Sequence, residues 1–538
     1  MLFAKLSFVV VVASATLSAA STLRRKRQNF VDFGGEASAT GDTSSAGSTS
    51  SASSNNGNPV VDVENKADAS GANDADTGGL GSIYKQLSSG DFRGMGSVSG
   101  ASSKGTNVLT STVDKLKLQD DVFTGTSVQR GEASGAGTSS ASVDGAAMLD
   151  ENGVQDFADT KSGASATGPQ SSSVTADSET EADSAKRKML GKLRARAEAR
   201  GQNFASANTE QELNDFDGTV KGGTAFVEGS AGTQVVGEAE GSLEQGDTGD
   251  ATIAQTATGL VNGPGDVNVV QRTTAVDGTK GAETSGSSDV VMADGVSSTG
   301  TISGQSGLGA SGASVQSTGS ATAVGKSKTL DVMNQGEVKD DAGKDTVFFG
   351  SSKLDSTTAE DTTAFGMANI GYNSLGGASV NTAGNSMSKV NDDSMSASHA
   401  MEQEGQVVSG ADVNAVKLTS AGEATGANGG QTASQGVAGV GSSTYADTMA
   451  QSSASGDGSA ASSDATVDVV NPVAGTRSDF ATGEVAADGS TAQVDTRSSV
   501  SNFAGSPNTQ VVNSASGTSG AQTGGSASFR RRRKRASH

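Results

Sequence analysis

The sequence predicts a mostly disordered, low-complexity chain with short β-strand islands and one basic helix over residues 184–200. The first observation is composition: of 538 residues, 33% are hydrophobic and 4% aromatic, and there is no Cys or Trp. Burying a large apolar side chain stabilises a fold by about 1.5–3 kcal/mol, whereas ordering one residue costs about 1–2 kcal/mol. Most of this chain is therefore expected to lack a conventional packed core.

The second observation is a set of short Val-rich islands. Val is β-branched and suits strands, and nearby Gly, Ser, Asn or Pro residues are expected to turn the chain. Because the islands show no strict period, an irregular β-rich, solenoid-like fold is the alternative. The clearest islands are residues 60–63, 113–118, 233–236, 266–270, 406–408, 412–416, 467–470 and 510–512.

The third observation is the basic segment 184–200. It is rich in Ala, Leu, Lys and Arg, which favour helices, and Ser184 can cap its start. Met189 and Leu193 fall on one helical face, and Gly201 lies just past the end, where helices often stop. The segment is predicted to be a helix, or a boundary between two halves of the chain.

The N-terminus has the order of a signal peptide over residues 1–20. Lys5 provides a positive charge, an apolar stretch follows, and Ser18-Ala19-Ala20 offers small residues for cleavage. The apolar stretch is roughly 15 residues, shorter than the ~20 that a membrane helix needs. We therefore expect an exported, extracellular protein with no membrane span.

Residues 21–27 are predicted to be a pro-segment. It ends in the basic run Arg24, Arg25, Lys26 and Arg27, which looks like a site for a furin- or kexin-type processing protease. A solvated charge run is the ordinary reading of such a cluster, but its position just after the signal peptide favours cleavage. The mature chain would then begin at Gln28.

The rest of the chain divides by composition into residues 28–183, rich in Ser, Gly, Ala and Asp, and residues 201–529, rich in Gly, Ser, Ala, Thr and Val. The formal net charge is −22. Residues 1–27 hold five basic and no acidic residues, so the chain from Gln28 carries −27. This charge argues against nucleic acid as a partner and favours cationic proteins or mineral surfaces.

Residues 530–538 form a basic C-terminal tail. Its last basic residues, Arg532, Arg533, Lys534 and Arg535, predict a second processing site. A tail that binds an acidic partner is the alternative for this run.

The sequence offers no catalytic, cofactor-binding or metal-binding residues. There is no Cys, and the two His residues are His399, in a polar stretch, and His538. Common zinc sites need several Cys or His ligands, and a Ser-His-Asp triad needs a rigid frame. We predict a non-enzyme without a cofactor, whose scattered carboxylates bind Ca²⁺ weakly and diffusely at most.

The Ser/Thr/Ala/Gly/Val-rich texture, seen in residues 307–315 and 436–441, resembles the bulk cement proteins of barnacles and, more loosely, silk-like structural proteins. The resemblance is one of composition. It implies a secreted structural or adhesive matrix protein that associates with itself or other matrix proteins through many weak contacts. The alternative is a secreted precursor that is cut at basic sites into soluble fragments acting on a host or partner.

Overall fold

A computed structural model shows a chain made almost entirely of β-strands. It describes residues 28–531 apart from the connecting segments 56–57, 87–91, 120–121, 152–153, 184–187, 202–203, 215–219, 231, 246–250, 278–279, 310–311, 341–343, 358–362, 374–377, 390–395, 410–413, 427–429, 441–443, 472–476, 504–505 and 519. No described residue lies in a helix.

The described part of the chain contains 26 strands. In chain order they are Gln28–Thr40 (β1), Thr43–Asn55 (β2), Asn58–Gln86 (β3), Phe92–Gln119 (β4), Val122–Ser134 (β5), Gly137–Glu151 (β6), Val154–Gly168 (β7), Ser171–Asp183 (β8), Lys188–Arg200 (β9), Phe204–Asn214 (β10), Val220–Ser230 (β11), Gln234–Gln245 (β12), Ala251–Asn262 (β13), Gly265–Asp277 (β14), Lys280–Gly309 (β15), Gly312–Asp340 (β16), Lys344–Thr357 (β17), Thr363–Asn373 (β18), Ala378–Lys389 (β19), Ser396–Ser409 (β20), Asn414–Gly426 (β21), Gly430–Val440 (β22), Thr444–Asn471 (β23), Arg477–Phe503 (β24), Ser506–Gly517 (β25) and Gly520–Arg531 (β26).

The strands form two antiparallel layers joined by six long strands, β3, β4, β15, β16, β23 and β24. Layer A has the order β1-β3-β4-β6-β7-β10-β11-β14-β15-β16-β17-β20-β21-β23-β24-β26. Layer B has the order β2-β3-β4-β5-β8-β9-β12-β13-β15-β16-β18-β19-β22-β23-β24-β25. Each long strand has one half in each layer, so each layer is sixteen strands wide.

The two layers pack face to face, as hydrogen bonds between their inner side chains show. The Thr77 hydroxyl of layer A lies 2.9 Å from the Thr112 hydroxyl of layer B. Further along the stack, Thr273 and Ser306 make the same kind of contact at 2.6 Å. Because each layer has one covered face, buried and more exposed residues alternate along its strands. In β13 every second residue is buried between the layers.

Small side chains fill the space between the layers. Of the 44 buried apolar residues described, 24 are Ala, and a further 29 buried residues are polar or charged, mostly Ser and Thr. The gap is narrow. A Cβ added to Gly79 would lie 1.9 Å from Asp114 Oδ2, and one added to Gly286 would lie 2.7 Å from Ile302 Cδ1. At these positions the two layers approach too closely for a side chain larger than that of Gly.

Tight corners carry the chain from one layer to the other. Three of them use Gly with positive φ: Gly135 (80°), Gly201 (88°) and Gly263 (92°). Gly reaches this left-handed region without the steric cost of a Cβ. The corners also stack on one another, because the Gly135 N–H donates to Gln170 O at 2.8 Å and the Gly201 N–H donates to Thr233 O at 2.7 Å.

The prediction of a mostly disordered chain is wrong, and the alternative of an irregular, solenoid-like fold also differs from these regular antiparallel layers. A core can form here with few large apolar side chains, because 24 of the 44 buried apolar residues described are Ala. Ala and Gly lose almost no side-chain entropy on burial, and buried Ser and Thr hydrogen-bond across the gap. The predicted island at residues 266–270 does form a strand, with Val267 and Val269 buried in it.

The predicted basic helix at residues 184–200 is also wrong. Residues 184–187 lie outside the described part, and the remainder is strand β9, paired with β8 and β12. The segment alternates with a period of two, which is the spacing of a strand rather than of a helix. Its buried members are Leu193, Ala195, Ala197 and Ala199, and its exposed basic members are Lys192, Arg194, Arg196 and Arg200.

Candidate assembly edges

Four strands close the two ends of the sandwich. Within the described part of the chain, β1 and β26 each pair on one side only in layer A, and β2 and β25 each pair on one side only in layer B. β1 and β2 form one end of the stack, and β25 and β26 form the other. The outer side of such a strand presents N–H and C=O groups that can pair with another chain.

The two edge strands of layer B carry no charge. β2 has thirteen residues and β25 has twelve, and neither contains Asp, Glu, Lys or Arg. Natural proteins usually block edge strands with charged residues, Pro or bulges. Pro507, at the start of β25, is the one such device in these two strands. The edges of layer B are therefore open to strand pairing.

The two ends of each layer are in register with each other. In layer B, one continuous row of paired residues runs from Thr49 in β2 to Val512 in β25, through Val128, Arg194 and Ser303. In layer A, a corresponding row runs from Glu36 in β1 to Gly524 in β26. The layers thus have no net stagger along the strand direction.

The strand directions at the two ends of each layer are also compatible with antiparallel pairing between copies. Neighbouring strands alternate in direction, and each layer contains sixteen strands, an even number. The first and last strands of a layer therefore run in opposite directions. A second copy placed beyond β25 and β26 in the same orientation would present β2 and β1 to them in antiparallel fashion. Both layers would continue at once with the pairing pattern they already have.

The outer face of layer B carries a band of ion pairs over β8, β9 and β12. The Arg194 guanidinium of β9 contacts the carboxylates of Glu238 and Glu240 on β12, the latter at 3.4 Å. Lys192 Nζ lies 3.7 Å from Glu179 Oε2 on β8. A shallow groove of about 510 Å³ is lined by Glu179, Lys192, Arg194 and Glu240. Its charges are already matched within the chain, so it is not a strong candidate for an ionic ligand.

One buried carboxyl group lies between the layers. Asp114 of β4 accepts hydrogen bonds from Ser99 Oγ at 2.5 Å and Gln129 Nε2 at 3.3 Å, and also from Ser127 Oγ. Burial raises the pKa of the Asp114 carboxyl above its ordinary value, although these hydrogen bonds act in the opposite direction. The side chain is 1% exposed, so it has no access to a substrate.

The predicted processing residues lie outside the described part of the chain. These residues are Arg24, Arg25, Lys26, Arg27, Arg532, Arg533, Lys534 and Arg535. Strand β1 begins at Gln28, the residue that follows Arg27, and strand β26 ends at Arg531, within the C-terminal run.

Sequence reasoning missed the open edges. Their composition was visible, but a charge-free stretch of Ser, Thr and Ala recurs along the chain. Only the topology reveals that β2 and β25 have one neighbour each.

Among the described residues, no group of three His, Asp or Glu residues could hold a metal ion, and no described helix is long and apolar enough to cross a membrane.

Comparison with known proteins adds no assignment. No protein-family model matches the chain, and no curated protein or solved structure is significantly similar to it.

Proposed function

We propose that this is a secreted, non-catalytic structural protein that builds an extracellular material by adding copies edge to edge. The observation that carries the proposal is the pair of open, charge-free edges, β2 and β25, which lie at opposite ends of a layer in matching register. An interface that does not close on itself generates a filament rather than a ring. Each added copy would extend both layers.

The composition supports such a role. The many weak contacts expected from the sequence become backbone hydrogen bonds between edge strands, repeated at every joint. The chain from Gln28 carries a net charge of −27, so copies repel one another at long range, and salt should accelerate growth by screening this repulsion. Because the strands already exist in one copy, growth should occur with little change in circular dichroism.

An inward-pointing charge at the edge tests the proposal. Ala46 lies on the inner side of β2, in the row that ends at Ala515 of β25, and it is exposed in a single copy. In Ala46→Lys the ammonium group reaches water in the single copy but would be buried in the joint, which is a device that natural edge strands use. We expect filament growth, followed by light scattering and electron microscopy, to slow at least tenfold.

The matched control is Thr318→Lys, which makes the same change of charge on the exposed outer face of the central strand β16. It should grow at nearly the rate of the unmodified chain. Equal growth of the two variants would contradict edge-to-edge addition. If the unmodified chain formed no assemblies, and the secreted material consisted of discrete soluble fragments, the precursor function would replace the structural one.

A further inference from the structure

The outer faces of the two layers differ in charge. Among the side chains that the structure describes, the outer face of layer A carries twelve acidic and three basic residues. The outer face of layer B carries eleven acidic and nine basic residues, and at least six of these nine form ion pairs with carboxylates of the same face. Layer A therefore presents a strongly negative surface, whereas the charges of layer B are nearly balanced.

The negative charge is concentrated on five neighbouring strands in the middle of layer A, β10, β11, β14, β15 and β16. Their described outer side chains include one basic residue, Arg272, whose guanidinium lies 2.7 Å from the carboxylate of Glu283. Strand pairing places Lys161 of β7 and Lys353 of β17 at the two rims of this region. The acidic residues of the region, which together form an acidic patch, are Glu210, Glu228, Asp266, Glu283, Asp289, Asp331 and Glu337.

An exposed apolar row crosses the acidic patch. Phe226, Val270 and Met333 lie in one row of paired residues and are 38%, 41% and 42% exposed. The next row on the same face holds Glu228 and Asp289. Two residues along a strand separate the rows, which is about 7 Å. Apolar and acidic side chains therefore run side by side across four strands, over about 14 Å.

Two carboxylates of the acidic patch oppose each other directly. Asp289 of β15 pairs with Asp331 of β16, and like charges at opposed strand positions are destabilising. Burial and, to a smaller extent, the charge of Asp331 raise the pKa of the Asp289 carboxyl above its usual value. Asn268 Nδ2 donates a hydrogen bond to Asp289 Oδ1 at 2.6 Å and holds this carboxylate on the outer face. A cation of a bound partner would relieve the repulsion between the two.

We propose that the acidic patch binds a cationic, amphipathic polypeptide of another protein. Complementary charge selects such a partner, and Lys and Arg side chains combine an apolar stem with a charged head, which suits adjacent apolar and acidic rows. A second copy of this chain is a poor occupant, because its layer A is acidic too and most of the cations of its layer B are already in ion pairs. A mineral lattice would make no use of Phe226, Val270 and Met333.

Such a partner would join filaments side by side. Copies added edge to edge would repeat the acidic patch about every 77 Å, at ~4.8 Å for each of sixteen strands. A partner with several basic segments would then bridge neighbouring filaments. Only this consequence rests on the proposed function, because the acidic patch is complete in a single copy and its binding needs no edge pairing.

Binding of labelled peptides to the full secreted chain, followed by fluorescence anisotropy at 0.15 M salt, tests the proposal. The probes are an amphipathic peptide of Leu and Lys and an oligolysine of equal charge. Glu228→Gln with Asp289→Asn should weaken binding of the amphipathic peptide at least fivefold. The control, Glu64→Gln with Glu181→Gln, makes the same change of charge on the outer face of layer B and should leave the affinity nearly unchanged.

Met333→Ser tests the apolar row. It should weaken binding of the amphipathic peptide at least threefold and leave oligolysine binding unaltered. Circular dichroism checks that all variants keep the strands. Absence of binding, or equal losses in the acidic patch variant and its control, would refute the proposal. Oligolysine that binds as tightly as the amphipathic peptide, or Ca²⁺ that displaces it better than Na⁺ at equal ionic strength, would show a general cation surface instead. None of these results bears on growth through β2 and β25.

Discussion

Adding one methyl group at Gly286 tests the face-to-face packing of the two layers. Gly286 lies in the layer A half of β15 and points inward. A Cβ there would lie 2.5 Å from Asn334 Oδ1 and 2.7 Å from Ile302 Cδ1. Neither neighbour can move easily, because both side chains are fully buried and Asn334 Oδ1 also accepts a hydrogen bond from Ser317 at 2.6 Å. Ile302 belongs to the layer B half of the same strand.

The expected loss of stability is best measured against a matched control variant in the same strand. Gly281 points outward, and the nearest atom to a Cβ added there is Ala275 O at 3.9 Å. Neither Gly has positive φ, so both Ala variants gain the same restriction of the unfolded chain, about 0.4–1 kcal/mol. Only Gly286→Ala also suffers overpacking, which costs about 1–3 kcal/mol. The difference between the two variants should therefore be about 1–3 kcal/mol, with Gly281→Ala the more stable.

A double-mutant cycle shows whether the methyl group added at position 286 clashes with Ile302. Ile302→Val removes Cδ1 and should cost about 0.5–1.5 kcal/mol alone. In combination with Gly286→Ala the loss should be smaller than the sum of the single losses by at least about 0.5 kcal/mol, because one clash is relieved. The free energies come from urea unfolding followed by far-UV circular dichroism at an unchanged slope. Equal stability of the two Gly variants, or strict additivity in the cycle, would contradict the packing of the layer A half of β15 against its layer B half.

Two further predictions concern charged groups. In Asp114→Asn, stability at neutral pH should exceed that of the unmodified chain. The native pKa of Asp114 is raised by burial, so the native state binds more protons than the unfolded state, and stability is lost as pH rises from the unfolded pKa through the native one. Unfolding curves at pH 3 and pH 7 check this prediction. The extra stability of the Asn variant over the unmodified chain should vanish at pH 3. An equal gain in stability at both pH values would contradict a raised native pKa. In Arg194→Ala, loss of the contacts with Glu238 and Glu240 should lower the free energy of unfolding by up to about 1 kcal/mol, and by less at 1 M salt. The control Arg272→Ala, which removes a contact with Glu283, should lower it less. Equal losses that do not depend on salt would count against a stabilising role for the band of ion pairs.

The β9 segment shows how much of the fold the sequence contains. Lys-Leu-Arg-Ala-Arg-Ala-Glu-Ala-Arg, residues 192–200, alternates strictly, which is a strand pattern. Helix propensity favoured the other interpretation, because Ala, Leu, Lys and Arg are all good helix formers. The neighbours decide in the structure: β8 and β12 supply both the backbone partners and the carboxylates of Glu179, Glu238 and Glu240. Such contacts between distant segments are not visible in a local window.

The core and the edges were hidden for a similar reason. An Ala, Ser or Thr residue carries little apolar area, and its burial becomes favourable only when two flat layers approach closely over many strands. The composition of β2 and β25 resembles that of many interior strands, and their position at the ends of layer B is a property of the whole topology. The basic runs, in contrast, were readable from sequence alone.

Disulfide cross-linking between copies tests the edge-to-edge account most directly. The chain contains no Cys, so Thr49→Cys with Val512→Cys introduces one thiol at each end of the same layer B row. The two sites are exposed, Val512 by 50%, and about 70 Å apart within a copy at ~4.8 Å per strand, too far for an internal bridge. Directly opposed residues of neighbouring copies would have Cα atoms about 4.5–5.5 Å apart, within the disulfide range of about 4.4–6.8 Å.

The control pair is Thr49→Cys with Val128→Cys, which is 45% exposed and lies in the same row on the interior strand β5. Under mild oxidation of the chain that begins at Gln28, the end-to-end pair should give a ladder of covalent oligomers on a non-reducing gel, and the control pair should give little beyond dimers. Equal ladders from the two pairs, or an end-to-end variant that stays monomeric under conditions in which the unmodified chain assembles, would contradict head-to-tail addition through β2 and β25.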